Sequence, residues 1–125
     1  MGYKITKLPG EPILVETWDA NFDVAKDGRR ASQEIIEKME ELNHMVVVIV
    51  DMRAAKLSFD DILMMARSAS GKDAPARHPL QRRRIIVTDS SIVSLAAQGL
   101  DSEVFGHIAV DIATSMEEAL DKARE

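Results

Sequence analysis

The chain has no cysteine among its 125 residues. That excludes disulfides, thiolate metal sites and thiol nucleophiles, and it fits a reducing cytoplasm. Long apolar runs are also missing. None approaches the roughly 20 residues that a membrane helix needs, so no membrane partner is expected. The opening Met1-Gly2-Tyr3-Lys4-Ile5-Thr6-Lys7 lacks the apolar stretch of a signal peptide. Gly2 and Thr6 fit a short myristoylation pattern, but a first strand needs the same residues. There is no Gly-x-Ser-x-Gly elbow, and His44, His78 and His107 fit no zinc spacing, so no metal or cofactor is expected. An excess of positive charge is absent too. The net charge of −5 argues against nonspecific nucleic-acid binding.

What is present describes one globular domain, residues 1–125, long enough to build its own core. Apolar residues make up 46% and charged residues 30%, both ordinary for such a domain. In the second half, a short apolar run ends three times in a polar corner, with a helix-forming stretch soon after. Residues 45–51 lead to Leu57-Ser58-Phe59-Asp60-Asp61-Ile62. Residues 84–88 lead to Asp89-Ser90-Ser91-Ile92-Val93, and residues 107–114 to Ser115-Met116-Glu117-Glu118-Ala119. Strands alternating with helices in this way indicate βα units and a parallel sheet.

Ahead of these units, residues 3–8 and 13–18 read as two strands joined by Pro9-Gly10-Glu11-Pro12, a strong turn signal. In the second strand Ile13, Val15 and Thr17 face one way, and Leu14, Glu16 and Trp18 the other. This half-polar alternation suits an antiparallel hairpin near a sheet edge. Asn21 is placed to cap a helix running to Leu42. Its expected buried stripe is Ala25, Gly28, Ser32, Ile35 or Ile36, Met39 and Leu42, with small residues that let the helix approach the sheet closely. Residues 46–50 are apolar throughout, which predicts a central strand covered on both faces. Ser58 with Asp61, and Ser115 with Glu118, form capping boxes. Residues 69–81 read as the longest and most mobile loop.

The charge is uneven. Residues 67–84 carry six bases (Arg67, Lys72, Arg77, Arg82, Arg83, Arg84) against the single acid Asp73. Lys72, Arg77 and Arg82 are candidates for an anion patch, the plainer alternative being a solvated basic loop. Ser70-Gly71-Lys72-Asp73 lacks the earlier glycine and following hydroxyl of a phosphate loop and is an ordinary turn. In parallel units, Asp51, Thr88-Asp89-Ser90-Ser91 and Thr114-Ser115 fall on the carboxyl-end rim of the sheet, where open α/β folds bind ligands. Asp51, Ser58, Asp89, Ser90 and Ser115 are therefore the candidate ligand-binding residues, and helix capping is the competing account of the serines and Asp89. His44 and His107 precede their strands and belong on the opposite rim, so no acid–base set forms with Asp51 or Asp89.

Hairpin, helix, then three strand–helix units cover the whole chain. With Val48-Ile49-Val50-Asp51-Met52 before Leu57-Ser58-Phe59, Val87-Thr88-Asp89-Ser90 before a helix, and the ending Ser115-Met116-Glu117-Glu118-Ala119-Leu120, it resembles the STAS or SpoIIAA-like domains. These include anti-sigma factor antagonists and related small bacterial proteins. The resemblance implies a single SpoIIAA-like α/β domain with an N-terminal β-hairpin, βα repeats, a mixed five-stranded sheet and about four helices. In phosphorylated members, the corner after the central strand reads Asp-Ser-Ser-Gly. Here Ser58-Phe59-Asp60-Asp61 lacks the serine pair and the glycine, so Ser58 is not equated with the phosphorylated serine. The expectation is a non-enzymatic binding or regulatory domain without a serine phosphoswitch, its partner a protein or a small ligand. The alternative is a ligand carrier or small enzyme using Asp51, Asp89 and the basic loop. A homodimer joined through Leu14 and Trp18 is also expected, because a large aromatic on a thinly covered hairpin invites a second copy.

Overall fold

A computed structural model describes residues 2–125. Five strands, β1 (Tyr3–Lys7), β2 (Ile13–Trp18), β3 (Val46–Asp51), β4 (Gln81–Val87) and β5 (Asp111–Ala113), form one sheet in chain order. β1 and β2 are antiparallel and the other pairs are parallel. Four helices accompany them: α1 (Val24–Leu42), α2 (Phe59–Ala69), α3 (Ser91–Gly99) and α4 (Met116–Ala123). The expected mixed five-stranded α/β architecture is therefore the observed one.

β3 is central and all six of its residues are buried. Its two faces meet different layers. Leu14, Trp18, Val46, Val48, Val50 and Ile86 point toward α1, α2 and α3, which contribute Ile35, Met39, Ile62, Val93 and Ala97. Ile13, Val15, Val47, Ile49, Ile85 and Val87 point the other way, against Ala119 and Ala123 of α4 alone. A three-helix layer and a one-helix layer thus sandwich the sheet.

Several local details differ from the sequence expectations. Asp23, not Asn21, caps α1: its side chain accepts from the Lys26 N–H at 3.1 Å. The Asn21 N–H is instead taken by Asp19 at 2.7 Å, inside the turn that precedes the helix. The buried stripe of α1 is Val24, Ala31, Ile35 and Met39. Ala25 is exposed, while Gly28, Ser32, Ile36 and Leu42 are half-buried. The helix is rotated so that Val24 and Ala31, not Gly28 and Ser32, meet the core. β4 starts at Gln81, so the strand begins within the basic stretch, a little ahead of the apolar run at residues 84–88. β5 spans only three residues, because His107, in the left-handed region at φ 57°, and the following residues do not pair with β4. Leu14 and Trp18 are 0% and 5% exposed, covered by the chain's own helices. Trp18 stacks on Phe22 at 3.8 Å. The expected dimer surface at Leu14 and Trp18 is therefore interior to the chain.

Candidate functional site

The three-helix side of the sheet is not fully packed. A cleft of about 870 Å³ lies between the sheet and α1, α2 and α3. Its size falls within the usual range for small-molecule sites, roughly 300–1,000 Å³. Small residues create it. Gly28 and Ser32 of α1, Ala66 and Ala69 of α2, and Ala96 and Ala97 of α3 all line the space. A Cβ placed on Gly28 would meet nothing within 4 Å. The stripe expected to bring α1 close to the sheet instead holds the cleft open. Exposed lining residues Arg29 and Gln33 of α1, with Ser68 and Lys72 opposite, mark its mouth.

Most of the interior is apolar, but two charged side chains enter from the sheet. Glu16 is 3% exposed. Strand alternation puts it beside Leu14 and Trp18, on the helix-covered face. One carboxyl oxygen accepts from the Trp18 indole N–H at 2.5 Å. Burial pushes the Glu16 carboxyl up, opposed by the nearby Arg84 charge and the indole bond. Arg84 pairs in register with Val48, which pairs with Leu14, so it projects from mid-sheet. It lies deep in the molecule yet stays half-buried by surface area, because part of it borders the cleft. Gln81 Oε1 accepts from Arg84 Nη1 at 3.2 Å, the one side-chain hydrogen bond of the guanidinium among the described residues. Burial disfavours the Arg84 cation and the Glu16 charge favours it. A guanidinium stays protonated through such opposition. Neither residue forms a direct ion pair among the described residues.

The carboxyl-end rim is already occupied by local bonds. Arg53 grips Asp51 through Nε at 2.9 Å and Nη2 at 2.8 Å. Those hydrogen bonds hold the Asp51 carboxyl below its usual range in spite of partial burial. Ser58 and Asp61 form the full capping box of α2, with bonds of 3.0 and 2.9 Å. Ser90 caps α3 and Ser115 caps α4. Asp89 is exposed beside Ser90 and makes no hydrogen bond or ion pair among the described residues. Capping thus accounts for the three serines, and none of these five residues lines the cleft.

Lys72, Arg77 and Arg82 do not converge. Lys72 stands at the cleft mouth. Arg77 donates to the Ser70 and Phe105 carbonyls, tying the supposedly loose segment to the turn before β5. That segment also holds a 3-10 turn, Pro75–Arg77. Arg82 donates to the Ala123 carbonyl at the end of α4, and Arg83 to Lys122 and Asp111. A register shift opposite Val46 and Val47 turns both adjacent arginines toward α4. Two of the three bases are therefore structural donors.

Glu16 and Arg84 were not among the residues singled out by sequence. Their signal was available: each is a charge at an apolar phase of its strand, in Leu14-Glu16-Trp18 and in Arg84-Ile86. Membership of a basic cluster masked Arg84, and an edge-strand placement made Glu16 look solvated. No protein-family model matches the chain, and no curated protein matches it.

Proposed function

We propose that this is a STAS-like, non-enzymatic binding domain whose ligand is a small molecule held in the cleft between the sheet and α1, α2 and α3. One observation carries the reading: about 870 Å³ of mainly apolar space into which the buried Glu16 and the half-buried Arg84 project. Convergent polar groups in an apolar recess are the usual make-up of a ligand site. The STAS-like component is supported by the element order and by the mixed sheet of five strands. Binding without catalysis is supported by the rim chemistry, since Asp51 is neutralised by Arg53 and the serines cap helices. The test is titration with an environment-sensitive apolar dye, alongside native mass spectrometry of detergent-free protein. One occupant per chain is expected, lost in a folded Gly28→Leu variant that fills the space. Absence of any bound species by either method would overturn the reading.

A second reading concerns a partner. The neighbouring helices α2 and α3 expose Phe59 (64%), Leu63, Ile92 and Leu95 (68%). Large apolar side chains on adjacent helices favour contact with a protein, here a second copy of the chain. Light scattering of the wild type and of Phe59→Glu/Leu95→Glu tests this. A dimer that dissociates in the variant supports it, and a wild-type monomer at high micromolar concentration removes it.

A further inference from the structure

Of the two arginines that are not solvent-exposed, Arg83 holds the Asp111 carboxylate and Arg84 holds none. Arg53, Arg83 and Arg124 each hold a carboxylate, at Asp51, Asp111 and Glu11. Arg77 and Arg82 hold main-chain carbonyls. Arg84 has one amide partner, Gln81, and is set among Val48, Ile86 and the apolar walls of the cleft. A guanidinium offers five N–H donors in a planar fork. No buried side-chain nitrogen or oxygen lacks a partner among the described residues, so the remaining donors of Arg84 open onto the cleft, where a carboxylate can take the place of water. Glu16 is the nearest candidate within the chain, but it spends an oxygen on Trp18 and makes no ion pair with Arg84. The mouth adds Arg29 and Lys72, offset there by Asp73.

We propose that the cleft binds an amphipathic monocarboxylate, its carboxylate on the free edge of the Arg84 guanidinium and its apolar body along Met52, Ile62, Val93 and Leu100. This rests on the reading that the cleft is a small-molecule site. A planar carboxylate matches the guanidinium fork in two parallel hydrogen bonds. A single buried cation balances one negative charge. A dianion such as phosphate would carry its second charge toward Glu16, with Glu34 also in range of that carboxyl. The apolar lining then demands a body without polar groups, since each would be buried without a partner.

Three amphiphiles of closely matched chain length separate the possibilities: decanoate, whose ten carbons include the carboxyl carbon, 1-decanol and decyltrimethylammonium, each titrated below its aggregation limit. Calorimetry and the fluorescence of Trp18, which lines the cleft, give the readout. Decanoate is expected to bind one per chain, and decanol about tenfold or more weaker, as fits the loss of a charge-assisted hydrogen bond. The ammonium compound is expected not to bind. In Arg84→Met, which replaces the charge by an apolar chain, decanoate should lose its advantage and bind no better than decanol. Equal binding of decanoate and decanol to the wild type would overturn the carboxylate assignment while leaving the cleft reading standing. Failure of all three to bind would overturn both. If Arg84→Met does not fold, the wild-type series still decides. Arg84→Lys, which keeps the charge without the fork, should weaken decanoate but not decanol, and unchanged decanoate binding to a folded Arg84→Met would also sink the proposal.

Discussion

Gly28 and Gly2 should respond oppositely to the same added methyl group. Gly28 lies within α1, near its first turn, at a position lining the cleft. Glycine there weakens the helix by about 1 kcal/mol relative to alanine, because its backbone loses more freedom on folding. A Cβ at Gly28 would meet nothing within 4 Å, so no steric term opposes the gain. Gly28→Ala should therefore stabilise the domain by about 1 kcal/mol, which for a chain of this size raises Tm by roughly 3–5 °C. At Gly2 the added Cβ would stand 2.5 Å from the Phe22 Cα and 2.7 Å from its nitrogen. These are backbone atoms, and Phe22 is fixed by its stack on Trp18 and its edge contact with Tyr3. The Gly2 carbonyl also accepts from the Asp19 N–H at 2.9 Å, holding the two segments together. Relief requires moving one of them, at a cost typical of overpacking, about 1–3 kcal/mol. Thermal melts followed by circular dichroism at 222 nm, with urea midpoints as a check, measure both variants. A destabilised Gly28→Ala would mean that α1 lies closer to the sheet than described and that the cleft is smaller. A neutral Gly2→Ala would remove the close approach of the first strand to the Phe22 turn.

Three other outcomes are expected. Val48→Asp should prevent folding, since it puts an unpaired carboxylate at a position of 0% exposure, at a cost of several kcal/mol; a soluble, cooperatively melting variant would refute the placement of β3. Ser58→Ala should lose about 1 kcal/mol through the capping box of α2 while leaving ligand binding intact, and stoichiometric phosphate on Ser58 from native cells would overturn its purely structural role. Glu16→Gln should become more stable relative to the wild type as pH rises. The buried carboxyl titrates above its ordinary 4.5, so the folded state keeps a proton that the unfolded state releases; the wild type loses stability from about that pH upward, until the folded group ionises. Urea midpoints at pH 4 and pH 8 read the difference, and a constant or reversed gap would contradict the burial.

Much of the architecture was legible because it rests on local signals. The apolar run ending at Val50 could only be a central strand, and Ser58 and Ser115 marked helix starts to the residue. The site was less legible because it depends on how layers meet. Rim residues such as Asp51 looked available until Arg53, two residues on, proved to hold it. Helical spacing gave α1 an apolar side but not its rotation, which Val24 and Ala31 decide by packing against the core. Arg82 and Arg83 look like neighbours on opposite faces of a strand. Only the register shift against Val46 turns both toward α4 and leaves Arg84 facing the cleft.

That division of labour among three consecutive arginines bears on why the cleft exists. A core usually closes on itself, because empty space forfeits dispersion contacts. Here the faces that could close it carry glycine, serine and alanine on three separate helices, while the ends are held by larger groups. Trp18 and Phe22 stack at one end. At another, Arg77 fastens the segment after α2 to the turn before β5. Small residues face much of the space between those ends, with the longer Met64 and Met65 at its border. A charge left in such a space is tolerated only if water or a ligand answers it. Arg82 and Arg83 are spent on the end of α4, and Arg84, one residue further along the same strand, is the cation that the cleft keeps.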